Sequence, residues 1–319
     1  IGMQTFQIAP RLNFEEIRTF AAVVELGSFS KAAEALFRTA AAVSYRINSL
    51  EETLGVELLE RTTRGVVPTP AGAWLYDKVS ALLIWQEHVP AEIQQIRNGV
   101  ESKFVLVINN LLYDSTCVAN LLAMIRKRYP YTQLEVIESV YNGVWDALIY
   151  KEGSVAIGLP THHPIDDRYE TKPIGVIEWH FVVSPTHPLA KFSSISGQDL
   201  LEFPVINIED SSLQMQKRLP WRMPGQEEVL VPDMATKIEC LAQGVGVGFL
   251  PYSSARPLIE SGRLVELPLS EKLRSSSPMS IGWPRAGRGR IAEWLLQLFS
   301  ENSPIIQPLL EPLHRKTTS

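Results

Sequence analysis

The stretch RTAAAVSYRINSLEE, residues 38–52, decides the interpretation of the N-terminal part of the chain. Its apolar residues recur at helical spacing and predict one buried stripe: Val43, Ile47, Leu50 and, just beyond, Leu54. The opposite face carries small or hydrogen-bonding side chains: Ala41, Tyr45 and Asn48, flanked by Ala40, Ser44 and Arg46. A slim leading end followed by hydrogen-bonding groups suits a helix that enters the DNA major groove. A solvated face of a helical bundle is the alternative for this stretch alone.

Two further helices are predicted before it. In NFEEIRTFAAVVELG, residues 13–27, Asn13 and Glu16 have the spacing of a capping box, and Gly27 is placed to end the helix. SFSKAAEALF follows, with Ser30 as the expected N-cap, and Thr39 is the expected N-cap of the third helix. The three together predict a helix-turn-helix unit.

The next stretch, LLERTTRGVVPTPAG, predicts a hairpin with a basic tip. Arg61 and Arg64 are placed there to reach phosphate or the minor groove. Basic and acidic residues are nearly equal in number over residues 1–70, so the DNA-binding hypothesis rests on local placement. The candidate DNA contacts are Ser30, Thr39, Ala40, Ala41, Ser44, Tyr45, Arg46, Asn48, Arg61 and Arg64.

Residues 71–100 predict a long helix with an apolar stripe that requires a partner. A twofold pairing would present two recognition helices, whereas packing on the C-terminal part of the same chain is the alternative. Pro90 is expected to kink or restart this helix. The predicted stripe consists of Leu75, Val79, Leu82, Val89, Ile93 and Ile96.

From residue 103 onward, strands alternate with helices, which predicts parallel sheets. We expect two α/β lobes, one from about 101–175 and 268–300, the other from about 176–267. Ligands of such sheets bind near the carboxyl ends of strands. The candidate effector contacts at those ends are Asn109, Asn110, Ser139, Gly158, Asp210, Ser211, Ser212, Val247, Gly248 and Phe249.

These candidates have alternatives. Asp210 is expected to open a helix whose free N–H groups face the cleft, but Asn109 could satisfy its own backbone turn and Phe249 could be plain core. Lys217 and Arg218 could pair with an anionic ligand, although a solvated basic pair is the favoured interpretation. No cluster of arginines is evident, so we expect a small molecule rich in amide-like donors and acceptors.

Several function classes are disfavoured. Cys117 and Cys240 are too few for a disulfide framework or a thiolate zinc site. The glycines of 244–248 precede a strand, whereas a dinucleotide loop follows one. His162-His163 with Asp166-Asp167 is better explained as a polar loop than as a metal site. We therefore expect no catalytic residues, no metal and no cofactor. With net charge −5, no leader and no apolar run of ~18 residues, a soluble cytoplasmic protein is expected.

The sequence resembles the LysR-type transcriptional regulators over the whole chain. The residues that carry the resemblance are Ala42-Val43-Ser44, Ile47, Leu50-Glu51, Leu54-Gly55, Leu58, Arg61-Thr62 and Thr69-Pro70-Ala71-Gly72. It departs from the family pattern at Thr39-Ala40-Ala41, where Ser-Gln-Pro is usual, and at Tyr45-Arg46, where Arg-Gln is usual. Within the family, RTAAAVSYRI, INNLLY, NGVWDAL, NIEDSS and VPDMATKI resemble activators of allantoin-utilisation genes, which have purine-responsive relatives.

The resemblance implies an N-terminal all-α winged helix-turn-helix (1–70), a linker and dimerisation helix (71–100) and a periplasmic-binding-protein-like effector domain (101–319), which is two-lobed α/β. It implies a transcription activator with promoter DNA, a ureide or purine-derived effector, RNA polymerase and further copies of itself as partners, and no membrane. The homo-oligomer would be a dimer or a tetramer. A solute-binding module without DNA binding is the alternative function, and an α/β enzyme is the third.

Overall fold

The computed structural model describes residues 12–63, 65–161 and 167–313. The chain divides into two compact units, residues 1–94 and 95–319. The first unit contains three helices and a hairpin, followed by a long helix that extends three residues into the second unit. Its elements are α1 (Phe14–Leu26), α2 (Phe29–Ala35), α3 (Ala40–Leu54), β1 (Leu59–Thr62), β2 (Gly65–Pro68) and α4 (Pro70–Arg97).

Side-chain caps begin the first three helices. Asn13 caps α1 by accepting from Glu15 N at 2.9 Å, and Thr39 caps α3. The capping box predicted for α1 is not formed, because Glu16 instead accepts a hydrogen bond from the Ser49 hydroxyl at 2.8 Å and thereby joins α1 to α3. The prediction of Ser30 as the N-cap of α2 is wrong: the helix begins two residues earlier than that cap requires, at Phe29, and Ser28 caps it.

The core of the first unit is built from the predicted stripe of α3. Val43, Ile47 and Leu50 are buried against α1 and α2, whereas Leu54 is only partly buried. Burial of this stripe fixes which face of α3 points outward. The buried partners from the other elements are Ile17, Phe20, Val23, Ala32, Ala33, Leu58, Leu75 and Val79.

The hairpin is held at both ends by contacts that explain the family motif. The Glu51 carboxylate accepts from Leu58 N at 2.7 Å and Leu59 N at 3.2 Å. Thr69 caps the start of α4 by accepting from Gly72 N at 3.0 Å. A Cβ at Gly72 would lie 2.0 Å from Leu58 O, so only glycine allows α4 to approach the hairpin this closely.

Helix α4 departs from the prediction in two ways. It continues through Pro90 without a restart. Proline removes one backbone donor, and the carbonyl that loses it belongs to Gln86, which is exposed and accessible to water. In addition, Leu75 and Val79 pack into the core of the first unit and do not belong to a free stripe.

The second unit contains two groups of strands and helices. Its strands are β3 (Lys103–Asn109), β4 (Gln133–Ser139), β5 (Val155–Pro160), β6 (Tyr169–Ile177), β7 (Trp179–Val183), β8 (Val205–Ile208), β9 (Glu228–Val231), β10 (Gly248–Pro251), β11 (Val265–Glu266) and β12 (Ser277–Pro284). Its helices are α5 (Ser115–Arg128), α6 (Gly143–Tyr150), α7 (Gly197–Leu200), α8 (Met234–Ala242), α9 (Tyr252–Glu260), α10 (Arg290–Ser300) and α11 (Gln307–Leu310).

The first lobe is a five-stranded sheet with the order β4-β3-β5-β12-β6. β3 is parallel to β4 and β5, as the alternation of strands and helices predicts, but β12 is antiparallel to both of its neighbours, so the sheet is mixed. The sequence analysis did not predict β6, which contains Pro173 and Gly175. An edge strand tolerates proline because one side of its backbone needs no ladder partner.

The second lobe lies between β6 and β12 in sequence. β10 and β11 flank β7 in antiparallel pairs, and β8 pairs with β9 in parallel. A parallel bridge between Val205 and Val247 joins the two sheets. Among the helices that the structure describes, none is both long and apolar enough to cross a membrane.

Candidate functional site

The outward face of α3 carries the small and polar side chains predicted from the sequence. Tyr45 is 74% exposed, and Ala40, Ala41 and Asn48 are exposed as well. Ser44 is half-buried on the flank of this face. Ser30, on α2, is also exposed, whereas the Thr39 hydroxyl is used by the cap and accepts from Ala42 N at 3.2 Å.

Two of the three predicted arginines have partners within the first unit. Arg46 lies 3.9 Å from the Glu15 carboxylate. The Arg61 guanidinium lies over the Phe29 ring, 5.3 Å from its centroid, which joins the hairpin to α2. Arg61 remains exposed, whereas Arg46 is half-buried beside α1. Arg64 lies outside the described residues.

The second unit contains a cavity of about 370 Å³ at the junction of its two lobes. This volume suits a small metabolite. Both lobes contribute to the wall. The lining residues are Asn109, Asn110, Leu111, Val140, Tyr141, Pro160, Thr161, Trp179, Ile208, Arg218, Leu219, Trp221, Met234, Lys237, Leu273, Arg274, Ser275, Ser276, Ser277, Pro278 and Met279.

Of the predicted effector contacts, Asn109 and Asn110 line this cavity. The Asn109 amide is already engaged, because it donates to Gly158 O at 2.9 Å and accepts from Leu111 N at 3.0 Å. Gly158, with φ +86°, supports that contact, since a Cβ there would lie 2.5 Å from Asn109 Cβ. Asn110 remains the predicted contact whose side chain has no such partner among the described residues.

The other predicted strand-end residues lie outside the lining. Ser139 accepts from Asn110 N through its carbonyl at 2.9 Å. Val247 and Phe249 are buried in the second lobe, where the Phe249 ring packs against Trp221 at a centroid distance of 4.7 Å. Gly248 leaves room for the stem of Lys237, whose Cε would lie 3.5 Å from a Cβ at that position.

The segment at Asp210 does not open a helix, contrary to the prediction. The Asp210 carboxylate accepts backbone hydrogen bonds from Asn142, Gly143 and Ser212, and a fourth, at 2.7 Å, from Arg218 N. Ser211 accepts from Val140 N at 2.9 Å. Ser212 is buried and has no hydroxyl partner in the described part of the chain. None of the three lines the cavity. The contacts of Asp210 and Ser211 with residues 140–143 instead join the two lobes.

The cavity instead brings together three cations that the sequence analysis did not assign to it. Arg218, Lys237 and Arg274 come from three separate segments and all line the wall. The expectation of a cavity without clustered cations is therefore wrong. Burial, with a smaller effect from the Arg274 charge, lowers the pKa of Lys237 to about 7. Burial also lowers the pKa of Arg274, to about 10, so Arg274 stays charged at neutral pH.

Aromatic groups hold these cations. The Arg274 guanidinium lies 3.4 Å from the centroid of the Trp179 ring, and Arg218 lies 5.6 Å from that of Tyr141. Tyr141 adopts a left-handed backbone conformation, with φ +49°. Such strained residues concentrate at functional sites.

Comparisons with known proteins agree with both parts of this geometry. Residues 14–73 match the model of the bacterial regulatory helix-turn-helix protein of the lysR family, and residues 107–304 match the LysR substrate binding domain. The chain belongs to the LysR family. It is 43% identical to the HTH-type transcriptional activator AllS of Salmonella paratyphi A, over 93% of this chain and 96% of that protein. It is 31% identical to the HTH-type transcriptional regulator PunR of Escherichia coli K12, over 89% of this chain and 91% of that protein.

The fold is also found in a solved structure. The solved structure of a Corynebacterium glutamicum OxyR mutant is similar to this chain with a TM-score of 0.60 and a sequence identity of 18%. The alignment covers 95% of each chain. The family models and the similarity to AllS confirm the two resemblances inferred from the sequence, to the LysR-type regulators and, within them, to the activators of allantoin-utilisation genes. The protein is a DNA-binding transcription regulator with a small-molecule-binding domain, and not an enzyme.

In the described residues of this LysR-family protein, no group of three or more His, Cys, Asp or Glu could hold a metal ion. His162, His163 and Asp166, considered as ligands from the sequence, lie outside the described residues. Cys117 and Cys240 are free thiols, and burial raises the pKa of Cys117.

The buried lysine predicts a pH dependence of stability. Because the pKa of Lys237 is about 7 when folded and near 10.5 when unfolded, the unfolded chain binds more protons between these values. The free energy of unfolding should therefore rise with pH from about 7 to 9, by roughly 1 kcal/mol per unit. Lys237→Met should flatten this rise and stabilise the protein near pH 6. Urea unfolding across this pH range measures it.

The control is Lys272→Met, which removes an exposed lysine and should leave the wild-type slope unchanged. Equal slopes in wild type and Lys237→Met would mean that Lys237 is charged in the folded protein throughout this range.

Proposed function

We propose that the outward face of α3 enters the major groove of a promoter and that Ser44, Tyr45 and Asn48 contact its bases. The observation that carries this proposal is the exposed face itself: small residues at the N-terminal end, then a largely exposed Tyr45 and an exposed Asn48. Small side chains allow close approach of the helix, and the polar ones can discriminate base edges. Ser30, Thr39, Ala40, Ala41 and Arg46 border this surface, and Arg61 and Arg64 contact the DNA backbone from the hairpin.

We propose further that the protein is an activator whose effector is a ureide or another product of purine breakdown. The support is the similarity to AllS, a transcriptional activator, and to PunR. The effector binds in the cavity between the lobes, with Asn110 among its contacts. The regulator works in the cytoplasm, and RNA polymerase is the partner that it recruits.

We propose that two copies pair through α4. Once Leu75 and Val79 are assigned to the core, a narrow apolar stripe remains on the helix: Leu82, Trp85, Val89, Ile93 and Ile96. Trp85 is 55% exposed and Ile93 59%. Residues at these spacings follow the seam of a coiled coil, and a second copy offers the identical stripe. A dimer, or a tetramer made of two dimers, would present two α3 helices to one promoter.

The first prediction separates base contacts from phosphate contacts. Tyr45→Ala should narrow the difference between affinities for promoter and random DNA by roughly 1–3 kcal/mol, because a base contact carries discrimination. Arg61→Ala should weaken binding to both DNAs alike and lower the slope of log K against log salt by about 0.9 per subunit, because one phosphate contact releases counterions. Fluorescence anisotropy with both DNAs at several salt concentrations measures both effects.

Arg61→Lys keeps the charge and should keep the salt slope. Lys127→Ala removes the same charge from the last turn of α5, so it controls for net charge. An unchanged ratio of promoter to random affinity in Tyr45→Ala would contradict base contact by this face.

The second prediction concerns self-association. Ile93→Asp places a charge in the stripe and should weaken the dimer at least about tenfold, because an unpaired carboxylate would be buried at the interface. Ala91→Asp carries the same charge about 200° away around the helix and should have little effect. Sedimentation equilibrium measures both. Unchanged association of Ile93→Asp would exclude this stripe as the interface.

A further inference from the structure

The cavity between the lobes has an unbalanced positive charge. Its wall contains Arg218, Lys237 and Arg274, and among the residues that the structure describes no aspartate or glutamate is part of its lining. Within the part of the chain that the structure describes, none of the three forms an ion pair with a carboxylate. Charges at a partly dehydrated site are costly unless they are paired, and the described side chains of the protein supply no counter-ion to these three cations.

The acidic residues near this region are committed elsewhere. The Asp210 carboxylate accepts four backbone hydrogen bonds, the shortest from Arg218 N at 2.7 Å. Asp146, also buried, accepts from Gln214 N at 2.7 Å and Met215 N at 2.8 Å. Both carboxylates hold the segment that carries Arg218, and neither is placed to neutralise the cations of the cavity.

The two inner cations are oriented before any ligand binds. The Arg274 guanidinium carbon lies 3.4 Å from the centroid of the Trp179 ring, and interaction with the Tyr141 side chain partly offsets the lowering of its pKa by burial. The stem of Lys237 packs over Gly248, and the residue is 4% exposed overall. A guanidinium and an ammonium in the same cavity wall can bind a single carboxylate with two different donors.

We propose that the effector is an anion whose carboxylate docks between Lys237 and Arg274. The proposal rests on the assignment of this cavity as the effector site. The ligand is thus negatively charged. Among the ureides, ring-opened acids bind in preference to neutral ring-closed molecules. Arg218, which is more exposed, lies at the wall of the same cavity and adds to its positive potential.

Binding of such an anion is coupled to proton uptake. In the empty protein, burial and the Arg274 charge hold the pKa of Lys237 at about 7. A carboxylate beside the ammonium raises this pKa, so Lys237 takes up a proton as the ligand enters. Affinity for the anion is therefore highest below pH 7 and falls as the pH rises.

Other titratable groups around α8 do not reverse this sign. Asp233 caps α8 through Thr236 N at 2.7 Å. Burial, followed by the Asp233 charge, raises the pKa of Glu138, on β4. On β9, Glu228 accepts from Asn207 at 2.7 Å, and on β7, His180 pairs with Glu266 at 2.6 Å.

Isothermal titration of the full-length protein with matched acids and neutral molecules tests the proposal. The pairs are allantoate with allantoin, and hydantoate with hydantoin, each acid being its partner plus one water. Wild type should bind an acid at least about tenfold more tightly than its partner. In buffers of different ionisation enthalpy, binding should take up about one proton near pH 8 and almost none near pH 6.

Lys237→Met should cost at least about tenfold in affinity for the acid and less than about twofold for the neutral partner. Lys272→Met, which removes an exposed lysine, should change neither. Equal affinities within a pair, equal losses for both members in Lys237→Met, or no binding of either series at millimolar concentration would overturn the anion proposal. Binding of hydantoate but of no purine-derived ureide would support it while removing the proposed effector class.

Discussion

Two buried carboxylates that bind backbone N–H groups hold the effector domain together. Asp210 follows β8 of the second lobe and accepts from the first residues of α6 in the first lobe, while Asp146 of α6 accepts from Gln214 and Met215. The bonds run in both directions across the lobe junction. Each carboxylate pairs with several fixed dipoles, which lowers the cost of burying its charge. The irregular segment between β8 and β9 is thereby fixed, and with it the position of Arg218.

The backbone hydrogen bonds of Asp210 and Asp146 also influence the net charge of the cavity. Their negative charge is matched to amide groups of the backbone, so it cannot also balance Lys237 and Arg274. The aromatic rings of Trp179 and Tyr141 orient the cations but carry no net charge. The protein therefore combines a rigid lobe junction with an electrostatically incomplete cavity, and a ligand is what completes it.

The first unit was predictable from the sequence because its determinants are local. The stripe of α3, the cap at Thr39 and the glycine that ends α1 lie within a few residues of the structure that they specify. The errors arose where tertiary contacts decided between local alternatives. Ser28 caps α2 instead of Ser30, and Leu75 and Val79 of α4 pack in the core of the first unit instead of forming part of an exposed stripe. In the sheet, β6 was not predicted because it contains Pro173 and Gly175, which are uncommon inside strands. The strand tolerates the proline because it lies at the edge of the sheet.

The candidate effector site was less predictable because its cations come together only in the folded structure. Strand ends indicated Asn109 and Asn110 correctly as lining residues, since carboxyl ends of parallel strands share one edge. Arg218 and Arg274 lie in irregular segments without periodicity. Lys237 did carry a signal. Met234, Lys237 and Leu241 follow helical spacing on the buried side of α8, so a lysine occupies a core position.

A lysine at such a position is stable only if it can lose its charge or acquire a partner. Its reduced pKa allows the first in the empty protein, and an anionic ligand would supply the second. In one state Lys237 is a neutral amine without a ligand. In the other it is an ammonium paired with the bound anion. Effector binding and protonation of Lys237 are then thermodynamically coupled. The fraction of protein that holds a ligand in the cavity therefore depends on the charge of Lys237.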